Sequence, residues 1–155
     1  MKKWIKKLQL YGISKNDFDN EKKILSNKFG KEIKDEDVIW NFFIKITLKT
    51  TDLQELKGLY YDKALFLNEE GKNCLVQLQQ SAKCELMYLK QQGFVDKVKI
   101  FAAQDSCAEC KKMDGKTFNI NDALKIMPIP CKKCSYDLLG KGKGFCRCCY
   151  VAEFD

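Results

Sequence analysis

The cysteines of this chain are concentrated towards its C-terminus, where seven of the nine lie within the last 49 residues. Cys107 and Cys110 form a Cys-x-x-Cys pair, and after twenty residues Cys131 and Cys134 form a second. Zinc binds thiolates at about 2.3 Å in a tetrahedron, and a Cys-x-x-Cys turn presents two thiolates from one tight bend. The spacing therefore predicts a structural Zn²⁺ site, with these four cysteines as the preferred ligands.

A third group of cysteines follows, made of Cys146, Cys148 and Cys149. Alternate residues of a strand share a face, so the thiols of Cys146 and Cys148 should point the same way. They could replace the second Cys-x-x-Cys pair as ligands, or supply one ligand to it. Cys149 should point to the other face and is not expected to bind. A second metal ion would need nearly every thiol of the region.

Two kinds of thiol chemistry compete with structural zinc. A redox dithiol would use one Cys-x-x-Cys at a helix N-terminus in a βαβ context, which neither pair has. A zinc deaminase would use the Cys107-Ala-Glu109 and Pro130-Cys-Lys-Lys-Cys134 strings, with Glu109 moving protons. However, Asp114-Gly115 interrupts the helix that Glu109 should open. Few residues follow Cys134 to complete a deaminase sheet. Both alternatives are therefore disfavoured.

The composition limits the remaining functions. The chain has no histidine, which excludes Ser-His-Asp and Cys-His nucleophile pairs and Cys₂His₂ fingers. Its formal charge is +7, but Arg147 is the only arginine, and arginine is the residue best suited to reading bases. A lysine-rich solvated surface is therefore favoured over a nucleic-acid footprint. Nucleic-acid binding stays an alternative, through five basic residues near the cysteines: Lys132, Lys133, Lys141, Lys143 and Arg147.

Capping residues and apolar spacing predict five helices in residues 1–92. After a short first helix, the predicted helices span 16–28, 36–49, 53–70 and 74–92. The first of these four opens on an Asn/Asp cap and the second is capped by Asp35. The last two helices should form a hairpin, because only a short turn around Gly71 joins them. Cys74 and Cys84 lie in this hairpin and are expected to be small buried apolar residues.

After Gly93 the sequence changes to strand-like residues and turns. Residues 95–103 are predicted to form a strand, followed by an Asp114-Gly115 turn before Thr117 and Phe118. A short helix capped at Asn121 or Asp122 should end before Pro128. Residues 145–154 are predicted to return as a strand. The boundary between a helical domain, 1–92, and a cysteine-rich module, 93–155, is placed near Gly93.

No apolar run reaches the ~20 residues that a membrane span requires. The basic N-terminal residues are not followed by an uninterrupted apolar segment of the signal-peptide kind. A cytoplasmic location is therefore expected, where thiols stay reduced and clustered cysteines bind metal rather than form disulfides.

A string of short motifs between residues 105 and 148 resembles a known family. It consists of Asp105, Cys107, Cys110, Met113, Gly115, Phe118, Pro128-Ile-Pro130 and Cys146-Arg-Cys148. This string is similar to the cysteine-rich C-terminal module of Mu-type phage minor head (head morphogenesis) proteins. The resemblance implies metal binding by Cys107, Cys110, Cys146 and Cys148. It does not include the helical part, so a role in capsid assembly is not inferred.

These observations together predict an α+β protein, with a helical N-terminal domain of helical hairpins and a small zinc-knuckle or ribbon-like C-terminal module. The expected function is non-catalytic zinc binding by a module that recognises another macromolecule, with a protein as the favoured partner. No small-molecule substrate and no membrane contact are inferred.

Overall fold

The computed structural model of the chain describes residues 2–135 and 146–154. It has an α+β fold, with helices throughout the N-terminal part and a small antiparallel sheet in the cysteine-rich part, as predicted. By packing, the chain divides into two compact units, residues 1–50 and residues 51–155. The boundary placed near Gly93 follows a change in residue type and falls inside the second unit.

The first unit contains three helices, α1 (Lys2–Leu8), α2 (Lys15–Phe29) and α3 (Asp35–Lys49). A short 3₁₀ turn, Gln9–Tyr11, follows α1. The core of this unit is apolar and rich in aromatic rings. Its buried residues are Trp4, Leu8, Phe18, Ile33, Val38, Ile39, Phe42 and Phe43.

The ends of α2 and α3 show where local capping was predicted correctly and where it was not. Gly30 ends α2 in the left-handed region at φ 63°, as expected for a C-terminal glycine. The N-cap of α2 is Ser14 rather than the predicted Asn or Asp, because its hydroxyl and the Asp17 carboxylate form a reciprocal capping box. Asp35 is the first residue of α3, and Lys34 occupies the cap without a side-chain bond.

The second unit begins with two packed helices, α4 (Leu53–Glu69) and α5 (Leu75–Gln91), as predicted. Asp52 caps α4 by accepting a hydrogen bond from the backbone N–H of Glu55 at 2.8 Å. Between the helices, Gly71 adopts φ 68°, which a glycine tolerates without strain. The hairpin provides the surface on which the cysteine-rich region packs.

The rest of the second unit is built on a three-stranded antiparallel sheet. Its strands are β1 (Lys97–Phe101), β2 (Thr117–Asn119) and β3 (Cys149–Glu153), in the order β2-β1-β3. Two short helices complete the region, α6 (Ala108–Lys111) between β1 and β2, and α7 (Ile120–Ile126) after β2.

Two predictions in this region need correction. The helix α7 is capped by Asn119 instead of Asn121 or Asp122, because the Asn119 side chain already accepts from the Asn121 N–H at 2.9 Å. The final strand begins at Cys149 rather than near 145, because its pairing with β1 ends at the Phe101–Cys149 pair. Cys146 therefore precedes the strand. Residue 145 lies outside the described residues.

One face of the sheet packs on α5 and α7 in an apolar cluster. The buried members of this cluster are Leu86, Val95, Val98, Ile100, Ile120, Ala123, Ile129 and Tyr150. A second cluster joins the α4–α5 hairpin to the cysteines, with Ala64, Cys74, Leu78, Cys110 and Cys146 buried. Among the described helices, none has the length and apolar character needed to cross a bilayer.

Candidate metal centre

The structure brings six predicted ligands together in one cluster, although they come from three separate stretches of the sequence. The Sγ atoms of Cys107, Cys110 and Cys134 all lie within 4.8 Å of one another, and so do those of Cys110, Cys146 and Cys148. The Cys131 Sγ lies 3.5 Å from the Cys110 Sγ. We call these six residues the thiol cluster.

Cys110 occupies the centre of the thiol cluster. It belongs to both groups of three, its side chain is fully buried, and its Sγ lies 3.7 Å from that of Cys146. Thiolates at about 2.3 Å from a tetrahedral zinc ion are about 3.8 Å apart. The two closest separations, 3.5 Å from Cys110 to Cys131 and 3.7 Å from Cys110 to Cys146, are therefore near the edge length of a metal–thiolate tetrahedron. The cluster can hold a metal ion, and which thiols bind it stays a prediction.

The turn between β1 and β2 positions the first Cys-x-x-Cys pair. The carbonyl of Cys107 accepts from the Lys111 N–H at 3.0 Å, which makes Cys107 the N-cap of α6 and places Cys110 on that helix. At the end of this loop, the Gly115 N–H donates a hydrogen bond to the Ile100 carbonyl of β1 at 2.9 Å. Gly115 has φ 71°, so the predicted Asp114-Gly115 turn is confirmed.

The second pair is positioned by a buried tyrosine. The Tyr150 hydroxyl donates to the Ile129 carbonyl at 2.9 Å and accepts from the Ile129 N–H at 3.1 Å. This double contact fixes the backbone two residues before Cys131. The pair itself is a turn in which the Cys134 N–H donates to the Cys131 carbonyl at 3.0 Å.

Two contacts hold the final Cys-Arg-Cys segment. Arg147 forms an ion pair with Asp105, which lies two residues before Cys107 and so ties the last cysteines to the first pair. On β3, which follows this segment directly, the Tyr150 N–H donates a hydrogen bond to the Glu85 carboxylate at 3.2 Å. Glu85 also forms an ion pair with Lys57 at 2.5 Å. The α4–α5 hairpin is therefore bonded directly to the strand that follows the cluster.

The close sulfur atoms perturb one another's pKa. Hydrogen bonding with the thiols of Cys134, Cys146 and Cys148, together with burial, raises the pKa of Cys110. Hydrogen bonds from Cys110 and Cys146 lower the pKa of Cys148 to about 3. These directions favour the thiol form at Cys110 and the thiolate form at Cys148. Because metal ligands must be deprotonated, a bound cation would displace the remaining protons.

Four cysteines fall outside the two groups of three: Cys131, whose sulfur contacts that of Cys110, and Cys74, Cys84 and Cys149. Cys149, like Cys131, is in neither group, and its exclusion from the ligands stays a prediction. Cys74 and Cys84 are buried, as expected, and burial raises the pKa of each thiol. Cys74 nevertheless packs against the thiol cluster, a position that its distance along the sequence gave no reason to expect.

The residues that the deaminase and nucleic-acid alternatives would use are either paired with other side chains, exposed, or outside the described residues. Glu109 forms an ion pair with Lys112 at 2.6 Å on an exposed face, and hydrogen bonding to Lys112 lowers its pKa. A deaminase would instead need this carboxylate beside the metal. Of the basic residues, Lys132 and Lys133 are exposed and Arg147 is paired with Asp105. Lys141 and Lys143 lie outside the described residues.

Sequence reasoning did not find the residues that hold the cluster in place. Tyr150 and Glu85 act through contacts 21 and 65 residues apart in sequence. Neither lies in a motif, so no local signal pointed to them. The Asp105–Arg147 pair could have been guessed, because the only arginine lies between two cysteines and an acid precedes the first pair.

Comparison of the chain with protein-family models, with curated proteins and with solved structures gave no match.

Proposed function

We propose that the chain is a non-catalytic zinc-binding protein whose metal site stabilises a surface for a protein partner. The observation that carries the metal part is the convergence of six thiols from three segments, with the buried Cys110 at their centre. None of the nine cysteines forms a disulfide, so their sulfur atoms are available for metal ligation. The proposal places the chain in a reducing compartment such as the cytoplasm, where those thiols stay available.

Zinc is the cation that this donor set favours. All the candidate donors are sulfur atoms, and soft thiolate ligands select zinc, copper(I) or iron–sulfur clusters rather than magnesium or calcium. Among these, zinc in tetrahedral all-cysteine sites commonly serves a structural role. The cluster packs on the α4–α5 hairpin through Ala64 and Leu78, so an ion there would join the hairpin to the cysteine-rich segments.

Two observations favour a structural role over catalysis. Glu109, the residue that a deaminase would require, is paired with Lys112 and partly exposed. In addition, the cleft that borders the cluster along Cys146–Cys149 has a volume of about 200 Å³. Pockets for small molecules usually measure about 300–1,000 Å³. The site is therefore better suited to holding an ion than to holding an ion together with a substrate.

The support for a protein partner is a set of exposed apolar side chains on the second unit. Phe101 on β1 and Val151 on β3 are 61% and 41% exposed on the sheet face that lies away from the core. The rings of Phe94 and Phe154, which flank β1 and β3 in sequence, stack with their centroids 6.2 Å apart and are also exposed. Grouped exposed apolar side chains are typical of protein interfaces. The resemblance to phage minor head proteins would make a structural phage protein one such partner.

Cysteine substitution tests the metal part. Cys107→Ser and Cys110→Ser should each reduce bound zinc and loosen the cysteine-rich region, while α2 and α3 stay folded. Zinc content by mass spectrometry and amide hydrogen exchange would measure the two effects. Cys149→Ser is the matched control and should keep its metal. If both ligand variants keep zinc and full stability, the metal assignment is wrong.

Photo-crosslinking tests the partner. A photo-reactive amino acid in place of Phe101 should give protein adducts in the cells that naturally make this chain. The same residue in place of Lys125, an exposed position on α7, should not give those adducts. Adducts that nuclease digests would favour the nucleic-acid alternative through Lys132 and Lys133. Identical adducts from both positions, or none, would contradict the proposed surface.

A further inference from the structure

The sulfur atom of Cys110 contacts two other cysteine sulfurs that differ in their access to solvent. The Cys131 Sγ lies 3.5 Å away and the Cys146 Sγ lies 3.7 Å away. Cys110 and Cys146 are both buried, whereas Cys131 is partly exposed. A dissolved oxidant can therefore reach the sulfur of Cys131, and an oxidised Cys131 would lie against the thiol of Cys110.

The two sulfur atoms of this pair are suited to oxidation. Cys110 and Cys131 belong to the four cysteines whose spacing makes them the preferred zinc ligands. A sulfur bound to zinc is a thiolate, which is the form of cysteine that peroxides oxidise. Because the two sulfur atoms are already in contact, a bond between them needs only a small movement of the side chains.

Oxidation of Cys110 would affect both parts of the thiol cluster. Each of the two groups of mutually close sulfurs includes Cys110. Without it, the first group keeps only Cys107 and Cys134. The second keeps only Cys146 and Cys148. A metal site built around either group therefore loses a ligand when Cys110 is modified, and a tetrahedral ion needs four.

We propose that Cys131 and Cys110 form a peroxide-sensitive pair, whose oxidation to a disulfide releases the metal ion. Hydrogen peroxide oxidises the Cys131 thiolate to a sulfenic acid, and the other peroxide oxygen leaves as water. The Cys110 thiolate then attacks the sulfenic sulfur, the S–O bond breaks, and a second water leaves. In total, two thiolates, two protons and one peroxide give one disulfide and two waters, while the Zn²⁺ ion keeps its charge. This inference rests on the proposed zinc-binding function and adds its regulation.

A reducing compartment would make this modification reversible. Disulfides in cytosolic proteins are usually transient and serve catalysis or redox sensing. Cellular thiol reductants would restore both thiols and allow zinc to bind again. The thiol cluster packs on the α4–α5 hairpin through Ala64 and Leu78, so release of the ion would weaken the attachment of the cysteine-rich segments to the hairpin.

The test is disulfide mapping of the full chain after treatment with hydrogen peroxide, while a chromogenic chelator reports released zinc. The inference predicts linked peptides that contain Cys110 and Cys131, one zinc ion released per disulfide, and recovery of both thiols with dithiothreitol. A disulfide between other cysteines, zinc retained by the disulfide form, or an unchanged chain would overturn it. Protein that holds no zinc before treatment would overturn the proposed function, and the mapping would still decide whether the pair forms.

Trapping of the sulfenic acid tests the order of the two steps. Dimedone, which reacts with sulfenic acids, should label Cys131 and not Cys110 when it is present during oxidation. This measurement uses the unmodified chain, so it does not depend on the folding of a variant. Cys131→Ser should leave Cys110 reduced under the same peroxide treatment, whereas the control Cys149→Ser should form the disulfide as before. A dimedone label on Cys110, or oxidation of Cys110 at an unchanged rate in Cys131→Ser, would overturn the assigned roles.

Discussion

The two compact units of this chain achieve cohesion by different physical means. Residues 1–50 form an apolar core in which the Trp4 and Phe43 rings meet edge to face at 5.9 Å. In residues 51–155, one buried cluster is apolar, and the other combines Ala64 and Leu78 with cysteine thiols. An apolar core depends on packing alone. The stability of a thiol cluster depends on what its sulfur atoms bind. Removal of a bound metal can therefore destabilise the cluster and leave an apolar core unaffected.

Removal of metal should give the largest difference between the units. Structural zinc sites contribute about 10–16 kcal/mol of apparent binding free energy, and that binding is coupled to folding. A strong chelator should therefore abolish amide protection around the thiol cluster and in β3. Amides of α2 and α3 should keep theirs. The measurement is hydrogen exchange with and without chelator. Equal loss of protection in both units would contradict the distinction.

Truncation of the aromatic core tests the first unit. Phe43 is fully buried, and Phe43→Ala should lower the free energy of unfolding of that unit by about 3–5 kcal/mol. Metal content should not change, because the residue does not belong to the thiol cluster. Urea denaturation and zinc analysis of the same preparation would measure both quantities. A parallel fall in bound zinc would show that the two regions are not separable.

Removal of one hydroxyl tests the support of the thiol cluster. Tyr150→Phe leaves the buried Ile129 N–H and carbonyl without the partner that holds them at 3.1 and 2.9 Å. A cost of about 1–3 kcal/mol is expected, together with weaker metal binding. Zinc affinity by competition with a chelating dye is the measurement. Tyr88→Phe makes the same chemical change at a partly exposed tyrosine of α5 and should leave the affinity unchanged.

The smallest expected effect on stability is at the start of α2. There, hydrogen bonds from the Ser14 hydroxyl and backbone N–H lower the pKa of Asp17 below its ordinary value of 3.8. Because the folded-state pKa is the lower one, the capping contribution is complete above pH 3.8 and is lost as the pH falls through the folded value. Carboxyl ¹³C NMR should show this lowered pKa, and Ser14→Ala should bring it back towards 3.8. An unchanged pKa in Ser14→Ala would contradict the capping box.

The sequence predicted the local features well and the tertiary ones poorly. Gly30, Asp52 and Gly71 act locally, through φ preference and capping, so the helix limits could be read from the chain. The spacing of the cysteines also predicted that metal ligands would come from the C-terminal region. It could not predict that Cys110 would be common to two groups of thiols, because that depends on how three distant segments pack.

The same limit applies to the residues that position the cluster. Glu85 lies on a helix surface, and only the folded chain shows that its carboxylate accepts from the Tyr150 N–H. The N-cap of α2 was missed for a smaller reason. Ser14 and Asn16 are both good caps, and the choice between them depends on the reciprocal bond to Asp17.

The central claim, that sulfur atoms of this chain bind zinc, is tested most directly by X-ray absorption at the zinc edge of the full chain. The account predicts a first shell composed only of sulfur at about 2.3 Å, with four scatterers per ion. Cys149→Ser should give the same spectrum. A shell of oxygen or nitrogen atoms, or protein that retains no zinc, would contradict the claim.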